Sequence, residues 1–203
     1  GTDGFEQFHE RVTQLAKGLI AWGVEPGDRI GIMSRTRFEW SLIDFAIWYA
    51  GGVSVPIYET SSAHQVHHIV TDSGLRAVFV ETEKLAVLVN EATSSIGGKL
   101  TTWVIENDAI GTLNTFGEPV DDGALENART SRDTYNLATI VYTSGTTGEP
   151  KGCMLTHGNF LNLSSNAKLA MGEIANPSNS TILFLPLAHV LARTVQILAL
   201  DSG

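Results

Sequence analysis

Leu137-Ala138-Thr139-Ile140-Val141-Tyr142-Thr143-Ser144-Gly145-Thr146-Thr147-Gly148-Glu149-Pro150-Lys151-Gly152 joins two unlike halves. Residues 137–142 form an apolar, β-branched run that suits a buried strand. Residues 143–152 hold four hydroxyls, three glycines and one lysine. Working outward, Cys153 to Leu155 reads as a second strand, and Thr156 can cap a helix from His157 to Met171. Thr181 to Leu185 reads as a strand and Val190 to Leu200 as a final helix. Upstream, Phe5, Phe8, Val12, Leu15, Ala16 and Leu19 line one face of a helix over 5–22, which Gly23 stops. Strands are expected at Arg29–Met33, Val53–Ile57, Ala77–Val80 and Leu100–Ile105. Between them lie helices at Phe38–Ala50, Ser61–Asp72 and Thr82–Ser95. Residues 106–136 are acidic and rich in Gly, Asn and Asp, and read as a surface excursion with one short helix near Ala124–Ala128. Strands alternating with helices predict an α/β fold, a mainly parallel sheet flanked by helices. Such sheets bind ligands beyond the strand carboxyl ends, and that rule points to the loop after Tyr142.

The chemistry of that loop suits a polyphosphate. Glycines let successive backbone N–H groups turn toward one anion. Hydroxyls donate further hydrogen bonds or ligate Mg²⁺, and Lys151 adds a mobile positive charge. The run is not a Walker A loop. Counted from Gly145, that pattern needs glycine at 150 and Ser or Thr at 152, where this chain has Pro150 and Gly152.

The chain has 203 residues and a formal net charge of −9, which argues against a nucleic-acid partner. Residues 131–203 carry four basic and four acidic side chains, so an anion is not repelled there. No apolar run approaches the roughly 18 residues of a membrane span. Cys153 is the only cysteine, which excludes an internal disulfide or a multi-thiolate zinc site. A reducing, cytoplasmic location is expected, with a place at the membrane periphery left open.

From Ile140 to Gly152 the sequence resembles the AMP-binding signature of the adenylate-forming enzymes, and Met154-Leu155-Thr156-His157-Gly158-Asn159 is similar to its continuation. Phe184-Leu185-Pro186-Leu187-Ala188-His189-Val190 resembles a later strand and loop of the family. Arg37-Phe38-Glu39-Trp40, Gly51 to Tyr58 and Thr60-Ser61-Ser62 are similar to bacterial long-chain fatty-acid CoA ligases. The resemblance implies activation of a fatty acid by Mg·ATP to an acyl-adenylate, then transfer to coenzyme A. It implies that Thr143, Ser144, Gly145, Thr146, Thr147, Gly148 and Lys151 hold the ATP phosphates. Thr143 is the candidate Mg²⁺ hydroxyl, and His189 matches a histidine bordering the acid pocket. The family's aromatic-Gly-x-Thr-Glu and Thr-Gly-Asp motifs, and its C-terminal catalytic lysine, have no match here. Residues 1–203 are therefore expected to be an incomplete N-terminal AMP-binding domain, inactive alone, weak in ATP binding and prone to self-association through an exposed apolar face. A free-standing nucleotide or acyl binding module remains an alternative, as does an aryl-CoA ligase or a peptide-synthetase adenylation domain.

Other residues are less telling. His64 and His68 lie one helical turn apart, with His67 between them, and read as a solvated face rather than a metal clip. Trp22, Trp40, Trp48 and Trp103 read as core. Tyr58 and Glu59 follow a strand end and could wall a site. Arg193 is read either as the partner of a carboxylate or as exposed, and Cys153 as a small buried residue.

Overall fold

The computed structural model describes residues 4–97, 100–143, 149–170 and 185–202. Six strands, β1 (Arg29–Met33), β2 (Val53–Ile57), β3 (Ala77–Val80), β4 (Thr101–Val104), β5 (Leu137–Thr143) and β6 (Lys151–Thr156), form one sheet in the order β4-β3-β1-β2-β5-β6. The first five are parallel, and β6 returns antiparallel along β5. That antiparallel return is what a short connection permits, whereas each parallel step needs a crossover.

Helix α1 (Phe5–Trp22) precedes β1, helices α2 (Phe38–Tyr49), α3 (Ala63–Ser73) and α4 (Glu83–Ala92) supply the first three crossovers, and residues 105–136 supply the one from β4 to β5. The four helices cover both faces of the sheet. Leu15 and Leu19 of α1 and Trp40, Ile43 and Ile47 of α2 pack on Ile30, Ile32 and Phe79. Val66 and Ile69 of α3 and Val89 of α4 pack on Met33, Val55, Val78 and Val80. Neighbouring residues of β1 and of β3 thus serve opposite cores, so β3 is buried throughout and β1 from Ile30 onward, as a covered parallel sheet requires. Ser62 starts α3 by accepting from the Gln65 N–H, while Gln65 returns a bond to the Ser62 N–H.

Residues 106–136 are more ordered than composition suggests. They hold α5 (Ala109–Gly117) and α6 (Asp122–Thr130), with Leu113 and Leu125 buried. The reason is a glycine-to-glycine crossing. A Cβ on Gly18 of α1 would lie 2.2 Å from the Leu113 carbonyl oxygen, and one on Gly117 would lie 2.4 Å from the Gly18 nitrogen. Backbone, not apolar side chains, makes this contact, so hydrophobic periodicity gives little sign of α5. Helices α7 (His157–Ala170) and α8 (Val190–Ser202) complete the described chain. The strand expected at Thr181–Leu185 lies, but for Leu185, outside the described residues.

At the carboxyl end of β3, buried Glu81 ties two strands together. It accepts from the Ser34 hydroxyl (3.2 Å), the Arg35 N–H (2.9 Å) and the Arg35 guanidinium (2.5 Å). The Arg35 bonds hold its carboxyl below the usual carboxylate range despite burial.

Two outcomes are expected. Gly18→Ala should lower stability in urea by about 3 kcal/mol, although the same change on an open helix stabilises by about 1 kcal/mol; an unchanged midpoint would contradict the crossing. Glu81 contributes stability above its unfolded value of about pH 4.3 and loses it as pH falls through its depressed folded value. Glu81→Gln should therefore flatten the acid limb of a stability–pH curve. Glu39, Asp122 and Glu126, also held low by basic partners, supply what slope remains.

Candidate functional site

Thr143 closes β5, Lys151 opens β6, and the two are direct partners in the ladder. Cross-strand partners share a face of the sheet. The hydroxyl and the ammonium that bracket the loop therefore project to one side, both exposed. Ser144, Gly145, Thr146, Thr147 and Gly148 lie outside the described residues. Tyr58 and Glu59 follow β2 at the same carboxyl edge.

One residue back, Tyr142 faces the other way. Its partner in the ladder is Gly152, where a Cβ would come within 3.1 Å of the Tyr142 ring. The Tyr142 hydroxyl donates to Asp72 of α3 at 2.6 Å. Burial, then the Asp72 carboxylate, push the phenol above its ordinary value, so it stays a donor. His64, His68 and Asp72 recur every fourth residue and share one face of α3. The His68 ring meets Tyr142 edge-on with centroids 6.1 Å apart, and its Nε2 lies 2.8 Å from the Pro150 carbonyl oxygen. Glu149 lies 3.4 Å from His64 Nε2 and 3.8 Å from His68 Nδ1.

The Thr143 face is organised by Arg193 of α8, which has no exposed surface. Its guanidinium donates to both carboxylate oxygens of Asp44 on α2 (2.7 and 2.9 Å), to the Thr139 hydroxyl of β5 (2.6 Å) and to the Ser54 hydroxyl of β2 (3.0 Å). The rings of Trp40, Trp48 and Phe160 surround it at 5.3–5.6 Å, where their π-faces favour a cation. Burial pushes the Asp44 carboxyl up, and the Arg193 charge pulls it back. Thr139 and Thr143 are four residues apart on one strand and so lie on the same face. His189 sits one turn before Arg193 and is exposed, its Nδ1 accepting from the Leu191 N–H at 3.3 Å. Thr36 holds the approach to α8 by donating to the Leu185 carbonyl and accepting from the Leu187 N–H.

A cavity of about 460 Å³ opens at the opposite, amino end of the strands, between Trp22, Gly74, Leu75, Arg76 and Thr101. The carboxyl-end rule for open α/β sheets favours the Thr143–Lys151 edge instead.

The family model described as AMP-binding enzyme matches residues 4–203. The chain belongs to the AMP-binding enzyme family. The long-chain-fatty-acid–CoA ligase FadD15 of Mycobacterium bovis is 40% identical over 195 residues, which cover 95% of this chain and 32% of that protein. A long-chain-fatty-acid–CoA ligase, FadD1, from Archaeoglobus fulgidus superposes with a TM-score of 0.82 at 21% identity, over 98% of this chain and 38% of that one. VinN in complex with L-aspartate superposes with a TM-score of 0.84 at 18% identity, over all of this chain and 54% of VinN. The chain thus spans about a third of the length of the FadD15 relative. The two superpositions establish the shared fold, a mainly parallel sheet flanked by helices.

Within that AMP-binding fold the structure brings Thr143 and Lys151 together and puts Arg193 in the core. It corrects two readings of side chains. His67 and His68 are partly buried and bonded to backbone carbonyls, so only His64 lies on a solvated face. Cys153 is exposed, not buried, because β6 is an edge strand of the sheet among the described residues. Trp40 is fully buried, Trp22 and Trp103 are partly buried against the same core, and Trp48 is partly buried beside Phe45, Phe160 and Arg193. Among the described residues no helix is long and apolar enough to cross a membrane. The sequence reading missed Asp44, Ser54 and Thr139. A signal existed: Asp44 is the one charged residue of α2 beyond its first turn, in a mainly apolar helix, and Arg193 is the one cation of α8.

Arg193→Met should cost about 3–5 kcal/mol in urea unfolding, because it strands a buried carboxylate. Arg193→Met with Asp44→Leu should cost well under the sum of the single changes. An additive double variant would contradict a coupled pair.

Proposed function

We propose that this chain is the ATP-phosphate-binding part of a fatty-acid–CoA ligase. The observation that carries the reading is the pairing of Thr143 with Lys151 at the carboxyl edge, one hydroxyl and one ammonium on a common face. These two donors fit a polyphosphate, and the Ser, Thr and Gly residues between them add donors of the same kind. The fatty acid as substrate rests on likeness to FadD15, since the fold is equally shared with VinN bound to L-aspartate.

In this reading the fatty-acid carboxylate attacks the α-phosphorus of ATP, and the bond to the bridging oxygen breaks to release pyrophosphate. The thiol of coenzyme A then attacks the acyl carbonyl, loses its proton, and AMP leaves. Lys151, Thr143 and residues 144–148 hold the departing β- and γ-phosphates in line and offset their growing charge. Thr143 offers its hydroxyl to Mg²⁺, whose chemistry is to neutralise phosphate charge. His189, on the Thr143 side of the sheet through Arg193, borders the acid. The lone, exposed Cys153 fits a reducing cytoplasmic setting, and an acyl substrate that partitions into lipid fits work at the membrane periphery. The 203-residue chain alone is read as inactive and weak in ATP binding. Exposed Met154, Leu161 and Leu169 favour its self-association.

Fatty-acid-dependent ATP–pyrophosphate exchange tests this, measured on the product of the full reading frame that contains these residues. Lys151→Ala should raise the KM for ATP roughly tenfold to a hundredfold, the worth of one charged hydrogen bond. Exchange that ignores Lys151 would refute the site, and no exchange with any fatty acid would refute the substrate class. Micromolar Mg·ATP binding by the 203-residue chain, lost in Lys151→Ala, would instead mark a free-standing binding module.

A further inference from the structure

The two stems of the loop are gripped from one side by α3, a helix to which the reading above gives no role. Tyr142 precedes the loop and is fixed by Asp72. Pro150 follows it and is held by His68. A carbonyl oxygen can only accept, so His68 Nε2 carries the proton and donates. Glu149 is the loop's one acidic residue and lies against His64 and His68. The alternation of β5 puts Tyr142 and α3 on one face and Thr143 with Lys151 on the other. The carboxylate is thereby turned away from the face where phosphate charge would gather.

We propose that His68, assisted by His64, is a positioning residue for the phosphate loop. It pins the exit stem through the Pro150 carbonyl, while His64, with its Nε2 3.4 Å from Glu149, keeps that carboxylate on the α3 side of the sheet. The inference rests on the ATP-binding reading of the loop and adds the device that fixes its exit stem at Pro150 and sets the local charge at Glu149. Neither histidine touches substrate in this scheme. Both act through the backbone at Pro150 and the side chain of Glu149. A Glu149 released toward Lys151 would compete with phosphate for the ammonium.

The test is the same exchange assay on the full reading frame, with KM for ATP and for the fatty acid measured separately. His68→Ala should raise the ATP KM roughly threefold to tenfold, as loss of one neutral hydrogen bond implies, and leave the fatty-acid KM unchanged. His68→Gln, whose amide can donate to the same carbonyl, should return the ATP KM to within about twofold of the unmutated protein, less than one such bond is worth. His67→Ala is the control for helix stability, since it removes a contact of the same length, 2.8 Å to the Ala92 carbonyl, from the same helix. It should leave the ATP KM alone. His64 has a side chain 75% exposed, so His64→Ala should fold whatever happens to His68→Ala. It should raise the ATP KM, and added Glu149→Gln should reverse the rise. An ATP KM unmoved by His68→Ala and His64→Ala, or an equal rise in His67→Ala, would overturn the positioning role and leave the proposed function standing. Absence of exchange in the unmutated protein would overturn both.

Discussion

Arg193 carries its charge to a place without water, and that placement is affordable only because four elements meet there. Asp44 comes from α2, Ser54 from β2, Thr139 from β5 and Phe160 from α7. A buried ion pair need not exceed a well-packed apolar core in stability. Its value here is geometric, since the guanidinium donors are satisfied only when α2, β2 and β5 stand in register. Thr139 is the link outward. Strand β5 leaves the network at Thr139 and reaches the sheet edge at Thr143, so the network fixes one stem of the loop and α8 with it.

The second constraint acts from the other face. There α3 holds Tyr142 before the loop and Pro150 after it, while Gly152 leaves room for the Tyr142 ring. The loop ends are thus supported on both sides of the sheet by unlike means. One is a charged, aromatic-lined interior, and the other is a row of polar side chains at the rim. Such double support suits a site that must present donors to a highly charged ligand without rearranging at each turn.

Much of this was legible in the residues. The five parallel strands are short β-branched runs, each closed by a turn or a cap, and their helices show the expected spacing. The phosphate chemistry proposed for the loop rests on its hydroxyls, glycines and single lysine, and the structure adds the pairing of Thr143 with Lys151. What stayed hidden were contacts between distant positions. Asp44 and Arg193 stand 149 positions apart, and His68 and Pro150 stand 82 apart, so neither pairing has a local signature. Helix α5 stayed hidden because Gly18 and Gly117 make its crossing through backbone. Cys153 was misjudged because composition does not mark a strand as the edge of its sheet.

The most direct measurement is amide chemical-shift mapping of the 203-residue chain during titration with Mg·ATP. Shifts should concentrate at Tyr142–Lys151 and Gly152, with smaller ones at His64 and His68 of α3, even where affinity is weak. Shifts centred on Trp22, Arg76 and Thr101 at the amino end of the strands, with the loop unmoved, would contradict it.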